Sequence, residues 1–166
     1  KLYKETTAIA GPHNRGLRYG DGLFETIRYH RGELQFADEH FARLWKGMQT
    51  LQFDLPRWLT PAYLQEQVEA LLQKNGHNAM ARIRLSVFRG DGGLYDPENH
   101  YPHHLIQTWA LPEGYGGWNS NGLDTGICTG VQKSCDLLAN LKHNNFLPYI
   151  IAAREAKREK WNDAIV

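Results

Sequence analysis

One lysine of this 166-residue sequence stands in a setting that favours chemistry at its side-chain amine. Lys142 follows the mostly apolar run 137–141 and precedes Phe146 and Leu147. Apolar packing removes water from an ammonium group, which lowers its pKa from about 10.4 and makes the neutral amine available as a nucleophile for imine formation. The alternative is a lysine that extends from a partly buried turn to reach solvent.

Two further segments carry residue types suited to binding a ligand. Residues 15–28, RGLRYGDGLFETIR, place glycines and aromatic residues around an acid before a strand-like run. Glycine permits close approach of the backbone to a ligand, and it equally permits a bulged strand entry. Arg43, in the HFARL segment, has the fork geometry that suits a phosphate, although a solvated or salt-bridged helix arginine is the commoner case.

The elements that position these residues follow from hydrophobic periodicity and turn signals. Apolar residues at spacings of three and four predict a helix over 37–51, and Thr60, Pro61 and Gly76 delimit a second helix. Alternation over 80–89 predicts a half-buried strand that shows Arg82 and Arg84 on its polar face. The remaining predicted elements are a hairpin over 23–36, strands at 104–111, 124–129 and 162–166, and a helix over 146–160 with Leu147, Ile150, Ile151, Ala152, Ala153 and Ala156 inward.

Turn-forming residues divide the chain into two predicted domains. The run 112–122 is rich in glycine and asparagine, and we place the linker at 113–122, between a first domain at 1–112 and a second at 123–166. The chain begins without Met and ends in a strand that has no partner in the pattern, so we expect it to be part of a longer protein.

Composition and charge favour small-molecule chemistry over other functions. A net charge of +1 with dispersed basic residues predicts no nucleic-acid partner. No apolar run of about 18 residues and no signal-peptide core are present, so we expect a cytoplasmic protein without membrane contact. Cys128 and Cys135 form neither a CxxC pair nor a histidine-containing metal motif, and we expect buried free thiols and no metal.

Four blocks in register resemble the class IV aminotransferases, the fold-type IV enzymes that use pyridoxal 5′-phosphate (PLP). The blocks are RGLRYGDGLFETIR, HFARL, RIRLSVFRGDGG and LANLKHNNFLPYIIAAREAKREKWNDAIV, and together they span nearly the whole chain. The family includes branched-chain and D-amino acid aminotransferases and aminodeoxychorismate lyase. The resemblance implies an α+β fold, with a small N-terminal α+β domain followed by the first elements of a larger, incomplete α/β-barrel-like domain, and a homodimer.

The resemblance also implies roles for individual residues. Lys142 would hold PLP as a Schiff base and then move the proton between the substrate Cα and the cofactor's C4′ atom. Arg43 would bind the PLP phosphate, Tyr19 and Phe24 would line the substrate pocket, and Arg84 would face a substrate carboxylate or organise the pocket. Where branched-chain enzymes have a tyrosine five residues after the lysine, this chain has Leu147. The acid that partners the pyridine nitrogen and the remaining phosphate-binding turns would follow Val166.

The resemblance leaves more than one reaction open. Leu94 and Asp96 stand where D-amino acid enzymes carry an arginine and a histidine, which disfavours that activity. The lyases tend to carry an arginine at the position of Leu94, whereas branched-chain enzymes carry an apolar residue. The preferred prediction is therefore transfer of an amino group between an L-amino acid, of the branched-chain type, and a 2-oxo acid. The alternatives are 4-amino-4-deoxychorismate lyase and a non-catalytic relative or interaction module.

Overall fold

The computed structural model describes residues 1–112 and 114–166, and it shows a mixed α+β chain with two sheets. Glu113, the first residue of the predicted linker, lies outside the described residues. The elements in chain order are α1 (Arg15–Tyr19), β1 (Gly22–His30), β2 (Glu33–Leu34), α2 (Ala37–Thr50), α3 (Pro61–Lys74), β3 (Met80–Arg89), β4 (Pro102–Ala110), β5 (Thr125–Ile127), α4 (Leu147–Glu159) and β6 (Asp163–Ile165).

The larger sheet is antiparallel in the order β2-β1-β3-β4. Its alternating side chains place one apolar face against α2 and α3, as the predicted pattern of β3 requires. The buried residues of this face, with those of the two helices, form the core; they are Leu23, Ile27, Phe41, Leu44, Met48, Leu64, Val68, Leu72, Ala81, Ile83, Leu85 and Val87. The opposite face of the sheet carries Phe24, Arg28, Arg82 and Arg84.

Both predicted helices of the first part of the chain are confirmed. Asp38 and Glu39 lie in the first turn of α2, where their charges favour the helix dipole. Thr60 caps α3, because its Oγ1 accepts a hydrogen bond from the backbone N–H of Tyr63 at 3.1 Å. The short helix α1 was not predicted, since five residues are too few to show a periodic pattern.

The second sheet corrects two sequence-based expectations. The terminal strand β6 does have a partner, since it pairs in parallel with β5, and parallel partners distant in sequence leave no local signal. Helix α4 packs on β6 through Ala152 and Ala156. Its predicted inward residues Leu147, Ile150, Ile151 and Ala153 are exposed, because the short two-stranded sheet covers only the alanine stripe.

A buried ion network joins α1, the start of β1 and the end of β3. Asp21 accepts hydrogen bonds from Nε of Arg15 at 2.9 Å and from Nε of Arg89 at 3.1 Å, and both arginines are almost fully buried. The two guanidinium groups also donate to backbone carbonyls, those of Leu51 and Gln52 from Arg89 and those of Gly92, Leu94 and Tyr95 from Arg15. The network therefore holds the loop after β3 and the end of α2 against the start of β1.

Other sequence-based expectations concern thiols, metals and membranes. Cys128 is buried as expected, but Cys135 is exposed. Across 1–112 and 114–166, no helix combines the length and the hydrophobicity needed to cross a membrane. The same residues contain no group of three or more His, Cys, Asp or Glu side chains arranged to hold a metal ion.

Candidate active site

The backbone of Lys142 is hydrogen-bonded directly to strand β1. The carbonyl of Lys142 accepts a hydrogen bond from the N–H of Phe24 at 2.9 Å, and the N–H of Asn144 donates to the carbonyl of Gly22 at 3.0 Å. An antiparallel bridge joins Leu23 to the residue between them, His143. The segment 142–144 thus continues the sheet along the edge of β1 that β2 leaves open, and this pairing fixes the point from which the lysine side chain extends.

Close approach at this bridge depends on Gly22. A Cβ atom at this position would collide with the backbone carbonyl of Val87 and would lie 2.8 Å from Nδ2 of Asn144. The glycine at the start of β1 therefore leaves room for the backbone of β3 on one side and for the side chain of Asn144 on the other.

The amine of Lys142 lies over an aromatic ring that two cations share. Its Nζ is 4.7 Å from the ring centroid of Phe24, and the guanidinium carbon of Arg84 is 3.9 Å from the same centroid. Phe146 packs edge-on against Phe24, with 5.5 Å between the ring centroids. Phe24 itself is buried, so it forms a fixed platform on which both cations are attracted to the π face.

Burial lowers the pKa of Lys142 below the ordinary lysine value. Loss of hydration is the largest cause, and the positive charges of Arg43, Arg84 and Arg82 act in the same direction, whereas the carboxylate of Glu25 raises the pKa. Burial together with Arg82 also lowers the pKa of Arg84, whose guanidinium nevertheless stays charged. The balance at Lys142 increases the fraction of neutral amine, which is the nucleophilic form.

Arg43 projects from α2 toward the same region and is paired with a buried acid. Its Nε and Nη2 donate to the two carboxylate oxygens of Glu25 at 2.7 and 2.6 Å, and this contact raises the pKa of Arg43. Nδ1 of His40 lies 2.7 Å from the same carboxylate. Glu25 was not singled out from the sequence, although a charged residue between the inward-facing Leu23 and Ile27 is a signal that alternation supplies.

Lys142 and Arg43 border one cleft of about 450 Å³, a size suited to a small ligand. The other lining residues are Lys133, Ala139, Asn140, Leu141, His143, Phe146 and Tyr149. An amine and a guanidinium facing a common space match a molecule that combines a carbonyl group with a phosphate. Two larger clefts, of about 780 and 850 Å³, lie where the N-terminal segment approaches β4, away from these two groups.

The predicted substrate-pocket residues fall in two places. Phe24 and Arg84 lie beside Lys142, although neither lines the 450 Å³ cleft. Tyr19 is exposed on α1, where its ring lies beneath the guanidinium groups of Arg15 and Arg18 at 4.9 and 5.0 Å, and it does not border the cleft. A pocket role for Tyr19 therefore stays a prediction.

Three arginines lie on the face of the larger sheet that also carries Phe24. Arg28 and Arg82 are direct cross-strand partners, and Arg84 follows two residues along β3. Among the described residues, none of the three forms an ion pair with a carboxylate. Directly opposed like charges destabilise a sheet, so this face is suited to an anionic ligand.

The fold and the site together define the class of protein. A model of the amino-transferase class IV family matches residues 22–166, and the chain belongs to this family. Its curated relatives include the aminodeoxychorismate lyase of Vibrio harveyi, which is 32% identical over 157 residues, covering 92% of this chain and 55% of the relative. The D-alanine aminotransferase of Bacillus licheniformis is 33% identical over 95 residues, covering 57% of this chain and 29% of that protein.

A solved structure agrees with this assignment at the level of the fold. The branched-chain aminotransferase of the thermophilic archaeon Thermoproteus uzoniensis, solved with norvaline, has a TM-score of 0.81 at 23% identity, and the match covers 100% of this chain and 57% of that one. The fold is therefore that of the fold-type IV enzymes, and pyridoxal 5′-phosphate is the cofactor of this family. The chain spans little more than half the length of these two relatives, the lyase and the archaeal enzyme.

Proposed function

We propose that this chain supplies the cofactor-binding lysine and a phosphate-binding arginine of a PLP-dependent enzyme, Lys142 and Arg43. The observation that carries the proposal is the backbone pairing of 142–144 with β1. It fixes a lysine of lowered pKa over Phe24, at a cleft that Arg43 also borders. A surface lysine with the same neighbours in sequence would have neither the fixed backbone nor the loss of hydration.

The residues present fit the cofactor. When bound, PLP supplies an electron sink that stabilises negative charge developing at the substrate α-carbon. Lys142 offers the neutral amine that holds the cofactor's aldehyde carbon and then accepts and returns the proton at the substrate Cα. Arg43 offers Nη1, which has no hydrogen-bond partner among the described residues, to the phosphate. Phe24 and Phe146 keep water from one side of the amine.

For the particular reaction we place 4-amino-4-deoxychorismate lyase first. The lyase of Vibrio harveyi is 32% identical over 92% of this chain, whereas the D-alanine aminotransferase of Listeria innocua, which matches over 100% of this chain, is 29% identical. The arginine-rich face formed by Arg28, Arg82 and Arg84 supports a substrate with more than one carboxylate. Leu94, whose identity favoured a transaminase, does not line the Lys142 cleft, and its contact with Arg15 is made by its backbone.

An L-amino acid transaminase is the second candidate. Arg84 on the Phe24 platform supports recognition of an α-carboxylate, which every amino acid and 2-oxo acid substrate carries. The apolar side chains of Leu141 and Phe146, which line the Lys142 cleft, would suit a branched aliphatic side chain.

The role of Lys142 is tested by borohydride reduction of the full-length protein incubated with PLP, followed by peptide mapping. We expect the label on Lys142 and its loss in Lys142→Ala. Lys133→Ala is the matched control because Lys133 lines the same cleft. A label that persists in Lys142→Ala, or that disappears in Lys133→Ala, would contradict the assignment.

The choice of reaction is tested by the requirement for an amino-group acceptor. A lyase consumes 4-amino-4-deoxychorismate without any added 2-oxo acid, whereas a transaminase converts branched-chain amino acids only when 2-oxoglutarate is present. We expect the first result with the full-length protein. Turnover of amino acids with 2-oxoglutarate, and none of aminodeoxychorismate, would establish the second candidate instead.

We also propose the domain organisation and assembly that accompany this function. Residues 1–112 would form the smaller domain, 113–122 the linker and 123–166 the start of the larger domain of a cytoplasmic homodimer. The exposed Leu147, Ile150 and Ile151 of α4 support a further packing partner for this helix. Light scattering on the full-length protein is the measurement, and a monomer at micromolar concentration would contradict the dimer.

A further inference from the structure

The most unusual polar group in the first part of the chain is the carboxylate of Glu25. It lies on the inward face of β1, between Leu23 and Ile27, and only 1% of its surface is exposed. Burying a carboxylate is costly unless it is paired and hydrogen-bonded. An apolar residue would fill this position of the sheet more simply, so the contacts of Glu25 indicate what the acid is for.

Those contacts determine the orientation of Arg43. Two parallel hydrogen bonds, from Nε to one carboxylate oxygen and from Nη2 to the other, fix the plane of the guanidinium group. His40 approaches the second oxygen at 2.7 Å, and this contact limits rotation of the carboxylate. With Nε and Nη2 occupied, Nη1 is the part of the guanidinium that remains for a ligand in the cleft.

Glu25 also acts on Lys142. Its negative charge opposes the lowering of the lysine pKa by burial and by the neighbouring arginines Arg43, Arg82 and Arg84. Lys133, His143 and Tyr149 are the other titratable groups that line the cleft. A single buried acid is therefore linked to both the arginine and the lysine of the candidate site.

We propose that Glu25 is the positioning residue of this site, with His40 as its support. It orients Arg43 so that Nη1 faces the cofactor phosphate, and it compensates part of the positive charge around Lys142. The inference rests on the proposed function for the identity of the ligand, and it adds a residue that touches neither the phosphate nor the reacting carbon.

The first test compares two ligands that differ only in the phosphate. The affinities of the full-length apoprotein for PLP and for pyridoxal are measured for the parent protein and for Glu25→Gln. We expect Glu25→Gln to reduce the preference for PLP over pyridoxal by about tenfold, since one charge-assisted contact is at stake. Asp21→Asn is the matched control, because Asp21 also pairs with arginines, Arg15 and Arg89, but contacts neither Arg43 nor Lys142.

If Glu25 had a purely structural role, Glu25→Gln would lower the affinities for PLP and pyridoxal equally. The preference for PLP would then be unchanged, which would overturn the proposal. An increase in the preference would also overturn it, because Glu25 would then compete with the phosphate for Arg43. In an Arg43→Met background, Glu25→Gln should have no further effect on the preference. An equal loss in both backgrounds would show that Glu25 acts without Arg43.

The second test reads the charge on Lys142 in the apoprotein. The rate at which an amine-reactive reagent labels Lys142 is followed against pH by peptide mapping, which gives the pKa of this lysine. Glu25→Gln should lower that pKa further, since it removes the negative charge that raises it. A variant that merely loosened the fold would rehydrate Lys142 and raise the pKa, so the sign of the change separates the two explanations.

The two proposals fail in distinguishable ways. If borohydride does not label Lys142 in the parent protein, the proposed function is wrong, whatever Glu25 does. If Lys142 is labelled but Glu25→Gln changes neither the ligand preference nor the lysine pKa, only the role of Glu25 is wrong.

Discussion

Replacement of Arg89 by methionine should destabilise the protein strongly, although Arg89 lies outside the Lys142 cleft. The arginine is 5% exposed and makes several kinds of contact. Its Nε pairs with Asp21, Nη2 donates to the carbonyl of Leu51 at 2.6 Å, Nη1 donates to that of Gln52 at 3.2 Å, and its guanidinium carbon lies 4.3 Å from the ring centroid of Phe53. Methionine fills much of the same volume but replaces none of the hydrogen bonds.

The size of the effect follows from these contacts. Removing one partner of a buried ion pair costs about 3–5 kcal/mol, because the other charge stays buried. Asp21 keeps its contact with Arg15, which favours the lower part of that range, whereas the two carbonyls left unpaired favour the upper part. We therefore expect a loss of about 4 kcal/mol, taken from the middle of that range. For a domain of this size the change corresponds to a fall in Tm of roughly 8–16 °C.

The assay is thermal unfolding of the full-length protein at pH 7, followed by circular dichroism. Arg158→Met is the matched control, because Arg158 is also paired with a carboxylate, at 2.8 Å, but 72% of its side chain is exposed. We expect no measurable change for the control, since exposed pairs contribute little. Similar Tm values for the Arg89 and Arg158 variants would show that burial does not determine how strongly the Asp21 network stabilises the protein.

Three further predictions concern the site and its supports. Lys142→Met should raise the Tm of the apoprotein, because burial lowers the pKa of Lys142 and the unfolded chain therefore binds more protons than the folded one. The gain in Tm should shrink as the pH approaches 10.5, the ordinary pKa of lysine. A gain that stays constant with pH would contradict this linkage. Gly22→Ala should weaken PLP binding at least tenfold, by roughly 1.4 kcal/mol or more, because its Cβ would collide with the backbone carbonyl of Val87 and crowd the side chain of Asn144, so that β1 must shift beneath the Lys142 segment; an unchanged affinity in a fluorescence titration would contradict this prediction. Thr60→Ala should lower stability by about 1 kcal/mol through loss of the cap on α3, a change measurable by urea unfolding, whereas an unchanged midpoint would show that water replaces the cap.

Much of the fold could be predicted because its signals are local. The alternation of β3 and the capped, amphipathic pattern of α3 each lie within a single element, and both elements begin where the sequence places them. The exposed face of α4 could not be predicted, because apolar residues lie on more than one side of that helix and only its packing partner determines which side is buried. The pairing of β6 with β5 was missed for a related reason, since the paired residues Thr125 and Asp163 lie far apart in the sequence.

The site was predictable only in part. Lys142 could be singled out from the apolar residues that precede it. Arg43 could be singled out from its place on a predicted helix and from the resemblance of the chain to a known family. Glu25 was missed, because the sequence shows an acid on an apolar face but not the arginine that pairs with it from α2. The pocket role of Tyr19 was implied by the family resemblance and stays a prediction, and its ring lies beneath the guanidinium groups of Arg15 and Arg18.

In the role proposed for Lys142, burial and neighbouring charge have opposite effects on the amine. To form an imine with an aldehyde the amine must be neutral, and to return a proton to the substrate it must be able to become charged. Burial and the surrounding guanidinium groups favour the first requirement, and the buried carboxylate of Glu25 preserves the second. Because 142–144 is paired with β1, the backbone of Lys142 is fixed relative to the sheet, and these opposite effects on the pKa act on a side chain that extends from a fixed point. A lysine on a loop without that pairing could turn toward solvent and regain its ordinary pKa.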